Sequence, residues 1–226
     1  MKSFLLLFVS CLLLQARLFS QSDKSALIQE VEKMLSSKKA DPSQILSDKK
    51  FDSVHPETSF RDLIKKYSKE TVLKIVNNDE PGKKIKVIGT VKNESGQPVA
   101  NAFVYLYQTD SRGWYAANSP HVQAYEGDFR HARLFGYLMT DANGRFELHT
   151  VKPSGYPRSD LPAHIHVHVS KEGFSDYSTE FLFDDDPRLV GTIRENSIRN
   201  RFIIAKPEKA STPFEQQFSY QIVMEK

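Results

Sequence analysis

Three histidines alternate in Ala163-His164-Ile165-His166-Val167-His168. In an extended strand alternate residues share a face, so the imidazoles point one way while Ile165, Val167 and Val169 point into apolar packing. Two imidazoles two residues apart on one strand reach a single metal ion, and buried imidazoles need partners of some kind. That pattern makes His164 and His166 metal-ligand candidates and leaves His168 as an outer partner or a surface residue. Upstream, Pro153-Ser154-Gly155-Tyr156-Pro157 holds a tyrosine between a glycine and a proline. A tight turn of this kind fixes the direction of the phenol, as a ligand requires. A free phenol has a pKa of ~10 and binds metals poorly at neutral pH, but a highly charged cation such as Fe(III) removes its proton. Read alone, Tyr156 is more readily a turn aromatic capping the core.

The elements that must position these residues follow from periodicity. From Lys84 the pattern is two-residue. It predicts strands at Lys84–Lys92, Ala102–Gln108, Gly136–Met139, Arg145–Val151, Ile165–Ser170, Thr179–Phe183 and Phe218–Met224, with turns at 93–96 and 141–144. Short strands at such spacing, rich in the chain's 15 Phe and 9 Tyr, predict an all-β core, an antiparallel β-sandwich. The charged stretch from Asp184 to Phe214 reads as loops, and Asp184, Asp185 and Asp186 as a solvated acidic face rather than a calcium site. Residues 21–80 read as a short helical segment. Leu27, Val31 and Leu35 mark a first helix that Asp41-Pro42 breaks. Leu63, Ile64 and Tyr67 mark a second, with Ser59 as its cap, and Val72–Val76 a third. The turn at Asn77–Gly82 places the sandwich at 81–226.

Residues 1–20 read as a signal peptide: Lys2, a short apolar run from Phe4 to Leu14, and a cleavage point after Ser20 or near Ala16. The run is too short to span a bilayer, and no second long apolar run follows. A mature chain starting near Gln21 loses Lys2 and Arg17, so its formal charge falls from +3 to +1. Such a balance gives no electrostatic reason for a nucleic-acid or membrane partner. Cys11, the single cysteine, lies in this segment, so stability must come from the core rather than from disulfides. The expected location is exported, periplasmic or secreted.

A longer set of motifs carries a family resemblance. Val87-Ile88-Gly89-Thr90-Val91, Gly96-Gln97-Pro98-Val99, Asn101-Ala102-Phe103-Val104, Tyr107-Gln108-Thr109-Asp110, Gly113-Trp114-Tyr115, Thr140-Asp141-Ala142-Asn143-Gly144-Arg145-Phe146, Gly155-Tyr156-Pro157, Pro162-Ala163-His164-Ile165-His166 and Asp185-Asp186-Pro187 occur in this order. Together they resemble the intradiol ring-cleavage dioxygenases. The resemblance implies that Tyr115, Tyr156, His164 and His166 ligate a non-haem Fe(III) ion. It further implies that Tyr156 leaves the metal when a catechol-like diol chelates it and helps take a substrate proton. The implied reaction opens the aromatic ring with O2 between its two hydroxyl-bearing carbons. It also implies a homodimer joined through the N-terminal segment. The chain departs from the family pattern twice. Leu161 stands where the family has arginine before Pro-Ala-His, and Glu180 where it has glutamine, so an electrostatic stabiliser of the reacting ring is missing. Arg112, Arg130, Arg133 and Arg158 are candidates to replace it. The competing readings are a non-catalytic binding module with a vestigial metal site and a zinc enzyme built on the histidines; the tyrosine pair disfavours zinc.

Overall fold

The computed structural model describes residues 22–116 and 132–226; Arg130 and the expected signal segment lie outside them. Two five-stranded sheets pack face to face. One has the order β1-β5-β2-β10-β9, the other β4-β3-β6-β7-β8. Their strands are β1 (Val72–Lys74), β2 (Lys84–Asn93), β3 (Phe103–Gln108), β4 (Leu134–Met139), β5 (Arg145–Val151), β6 (His164–Ser170), β7 (Tyr177–Phe183), β8 (Ile203–Ala205), β9 (Glu208–Lys209) and β10 (Gln216–Met224). The expected sandwich is the observed architecture, with mixed sheets: β1 with β5, β10 with β2 and β7 with β8 run parallel. Parallel neighbours need long crossovers, which the local patterns of single strands do not announce.

Alternation builds the layers. Ile85, Val87 and Val91 of β2 and Val104 and Leu106 of β3 are buried, and their neighbours face outward. Between the sheets, Phe181 and Phe183 of β7 meet Phe218 and Tyr220 of β10 at ring separations of 4.9–6.1 Å. Each fully buried phenylalanine contributes about 1.5–3 kcal/mol of transfer free energy. Gly89 is required opposite Phe146, whose ring occupies the space a Cβ would take.

The N-terminal segment is mostly helical, with α1 over residues 22–36, α2 at Pro42–Leu46, a 3-10 turn at Lys49–Val54 and α3 at Thr58–Tyr67. α1 ends at residue 36, ahead of the expected break, with Lys38 at φ 55°, and Asp41-Pro42 starts α2. Asp41 caps the Gln44 amide while the Gln44 side chain returns to the Asp41 amide. Two further details differ from the sequence reading. Glu57, not Ser59, sits at the N-cap of α3, and it makes no side-chain cap bond. The stretch expected as a third helix is strand β1, paired in parallel with β5 from Val72↔Glu147 to Lys74↔His149. Its three residues present one buried side chain, Leu73, to the core; a waiting sheet edge outweighs helical spacing in so short a run. The stretch expected as loops contains α4 (Gly191–Arg199) and the edge strands β8 and β9. Of α4 only Ser197 is buried, so no apolar stripe marked it. Val31, Leu35, Ile45, Phe51, Phe60 and Ile64 share one hydrophobic cluster with the sandwich.

Candidate metal centre

Strand β6 alternates as its residue types require. Ile165, Val167 and Val169 are buried in the core, and His164, His166 and His168 occupy the opposite face. The strands either side complete that face. Tyr107 of β3 lies opposite His166 and stacks on it at 4.2 Å with 9° between ring planes. Glu180 of β7 lies opposite His166 on the other side.

Two loops roof this face, and each carries a tyrosine. The loop from Thr109 to Tyr115 is folded around Asp110, whose carboxylate accepts from the Arg112 and Trp114 amides at 2.9 and 3.0 Å. The second loop, from Pro153 to Pro162, is tied to the first. The Ser154 amide donates to Asp110 O at 3.1 Å, the Thr109 hydroxyl to Ser154 O at 2.7 Å and the Ser154 hydroxyl to Ser111 O at 2.8 Å. Gly113, at φ 81°, lies against the Gly155 carbonyl oxygen with no room for a Cβ. Only glycine combines that backbone conformation with such close approach.

The result is a cluster of four donor atoms. The Tyr115 and Tyr156 phenol oxygens are 2.7 Å apart, Tyr115 Oη is 3.1 Å from His166 Nε2, and Tyr156 Oη is 3.1 Å from His164 Nε2. The structure therefore brings together all four residues singled out as ligands. His164 Nδ1 lies 2.8 Å from the Pro162 carbonyl oxygen, to which it donates, so the Nε2 lone pair faces the phenols. Burial, followed by the nearby Tyr156, raises the Tyr115 pKa far above the ordinary phenol value. Its proton leaves only if a strong positive charge replaces it. Two phenol oxygens and two imidazole nitrogens in mutual contact fit a hard, highly charged ion such as Fe(III) better than a thiolate-seeking one. His168 stands apart from this cluster: its Nδ1 is 2.7 Å from the Ser178 hydroxyl, and its ring stacks on Tyr105 and Tyr107.

Of the arginines proposed to replace the missing cation, Arg130 lies outside the described residues, and the other three are placed as follows. Arg112 pairs with Asp110 and lies over Trp114, Arg133 pairs with Glu80 at 2.6 Å, and Arg158 is exposed. Leu161 is itself 50% exposed. The residue that sequence reasoning missed is Arg188. Its Nη1 donates to the Tyr156 and Leu161 carbonyl oxygens at 3.4 and 3.2 Å. Asp186 accepts from the Arg188 and Ala163 amides at 2.8 and 3.0 Å, so this loop braces both the Tyr156 turn and the start of β6. The available signal was the position of Arg188 immediately after Asp185-Asp186-Pro187. The acidic triplet read as a solvated face is well partnered: Asp184 with Arg194 and Asp185 with Lys152.

A family model described as "Dioxygenase" matches residues 59–226. Among curated proteins, a protocatechuate 3,4-dioxygenase beta chain of Burkholderia cepacia is 36% identical over 123 residues, covering 51% of this chain and 51% of that protein. Catechol 1,2-dioxygenase 1 of Acinetobacter lwoffii is 30% identical over 130 residues, covering 50% of this chain and 40% of that protein. The chain spans about half the length of the curated relatives it matches. Catechol 1,2-dioxygenase from Acinetobacter sp. ADP1 superimposes with a TM-score of 0.55 at 18% identity, over 70% of this chain and 59% of that one. The dioxygenase domain of a dioxygenase carbohydrate-binding protein fusion from Streptomyces sp. SirexAA-E gives 0.51 at 22% identity, over 67% and 86%. Those two likenesses speak for the fold. Since the family model spans most of the chain and the curated relatives bear it out, the chain belongs to the intradiol dioxygenase family.

Proposed function

We propose that this protein is an exported Fe(III) dioxygenase that opens a catechol-like ring with O2 between its two hydroxylated carbons, giving a muconate-type diacid. One observation carries the reading: Tyr115, Tyr156, His164 and His166, from three separate segments, meet through their donor atoms at 2.7–3.1 Å. These four residues would hold the ion. When bound, Fe(III) supplies Lewis acidity and a template that orients the diol and O2.

The chain's own groups then divide the work. Tyr115, buried and packed against Tyr107 and Tyr156, is the fixed phenol. Tyr156 is less buried and begins the turn at 156–159, so it would be the ligand that yields its place and, having been held as phenolate, takes a substrate hydroxyl proton on its Oη. The Pro162 carbonyl keeps His164 in the tautomer that leaves Nε2 available. Leu161 and Glu180 make the pocket less cationic than the family pattern, so simple catechol should turn over poorly, and electron-rich or larger catechols should be preferred. Export is supported by the signal-like residues 1–20, and pairing of two copies through the N-terminal segment by the family resemblance.

Iron-loaded protein should be reddish-brown, from phenolate-to-iron charge transfer. Oxygen uptake with substituted catechols should yield a diacid carrying both oxygen atoms. A colourless protein that retains zinc after iron-replete expression, or one that consumes no oxygen with any catechol, would overturn the proposal.

A further inference from the structure

Among the described residues, Glu180 is the acidic group that clusters with the two histidines of the centre, and neither the four-ligand reading nor the family pattern gives it a task. It lies opposite His166 in the β6–β7 register. Its carboxylate oxygen and the ring nitrogens of His164 and His166 all lie within 4.8 Å of one another. Two donors bound to one ion at about 2.1 Å each stand at most about 4.2 Å apart, so a side-chain rotation of a few tenths of an ångström closes the set. The Glu180 side chain is partly buried, and among the described residues its carboxylate makes no hydrogen bond or ion pair. Its charge is felt by Tyr115, whose phenol it helps keep protonated. A carboxylate removed from water without a partner is costly unless a cation takes that role.

Among the described residues, the neighbours on this face are engaged elsewhere. Tyr107 is stacked on His166, His168 is held by Ser178, and Arg188 is spent on the backbone of the Tyr156 turn. Among the described residues, the groups that Glu180 shares its space with are the two imidazoles. We propose that Glu180 is a fifth protein ligand of this metal centre, adding a carboxylate to the two phenols and two imidazoles. This rests on the metal-centre reading above. The extra anionic oxygen holds the ion more tightly, lowers its Lewis acidity, and occupies a place that an incoming diol must displace.

The experiment compares wild type with Glu180→Gln and Glu180→Asp, using Fe(III) and, in parallel, Co(II) titrated into metal-free protein against a chelator. Melting of the metal-free forms reports whether the fold is intact. Removing even an outer partner of a ligand weakens metal binding about 10- to 100-fold. Glu180→Gln should therefore lose at least about tenfold in affinity for both ions, with unchanged melting of the metal-free protein. Its phenolate-to-iron band should move to longer wavelength, because the ion has lost an anionic donor. Glu180→Asp should fall between the two. Equal affinity and an unshifted band in Glu180→Gln would overturn the assignment. If wild type shows no phenolate band at all, the dioxygenase reading fails, and the Co(II) affinities alone decide whether Glu180 ligates.

Discussion

The two halves of the centre are held by different means. The histidine half is a strand: His164 and His166 are adjacent residues on one face of β6, and the β3–β6 and β6–β7 ladders fix them. The tyrosine half depends on long-range ties. The Tyr115 carbonyl accepts from the Arg133 amide at 2.9 Å, and residues 132 and 133 are gripped in turn by the N-terminal segment. His55 Nδ1 donates to Arg133 O at 2.8 Å, Arg61 donates to Ala132 O at 3.1 Å, and Glu80 pairs with the Arg133 guanidinium. Secondary structure thus aims one pair of ligands, and an added helical segment braces Tyr115. The strand half should persist when the fold is locally loosened, whereas the braced half should fail first.

The largest effect tests the strand half. His164→Ala and His166→Ala should lose the metal outright while His168→Ala retains it; metal analysis of the three purified variants decides this. Equal loss from all three would mean that the whole histidine face, not a pair, binds the ion.

Next in size is the brace. The Arg133 and Glu80 side chains are 10% and 6% exposed. Removing one partner of a buried pair typically costs about 3–5 kcal/mol, because the other charge is left uncompensated. Glu80→Ala should lower the melting temperature accordingly and speed amide exchange near Tyr115 more than along β6. Uniform exchange across both regions would remove the distinction drawn between them.

Acid offers a milder route to the same end. Burial is the main reason that the His55 pKa is lowered from 6.5 to about 4, with the positive charges of Arg133 and Arg61 acting in the same direction. The folded state therefore resists protonation that the unfolded chain accepts. The stability from neutral His55 is complete above pH 6.5 and is lost as pH falls towards 4, a change of about 3 kcal/mol. His55→Phe should flatten the pH dependence of melting across that window; an unchanged slope would show that another group sets it.

The smallest effect belongs to Arg188. Its two bonds to the Tyr156 turn are long, so Arg188→Ala should cost about 1 kcal/mol of stability. It should still broaden the phenolate band by loosening Tyr156, while the Tyr115 side stays ordered.

Much of the histidine half was readable in advance, because a two-residue period needs only neighbouring residues to declare which side faces the core. The Tyr156 turn was likewise marked by its glycine and proline. The role of Tyr115 came only with the wider motif resemblance, since nothing local in Gly113-Trp114-Tyr115 aims a phenol. Arg188 and the brace through Arg133 escaped notice because their partners are backbone atoms or lie far along the chain, the Glu80–Arg133 pair being 53 residues apart.

The amino-acid sequence by itself determined the alternating core, the helical character of most of the N-terminal segment and the face shared by the histidines. These follow from side-chain periodicity and local backbone preference. Only the tertiary structure decided that Val72–Lys74 would join a sheet, that Gly113 would press against Gly155 so that two phenols touch, and that Glu180 would stand across from His166. Each of those depends on which distant segments pack together, and a local pattern carries no information about a partner supplied by another part of the chain.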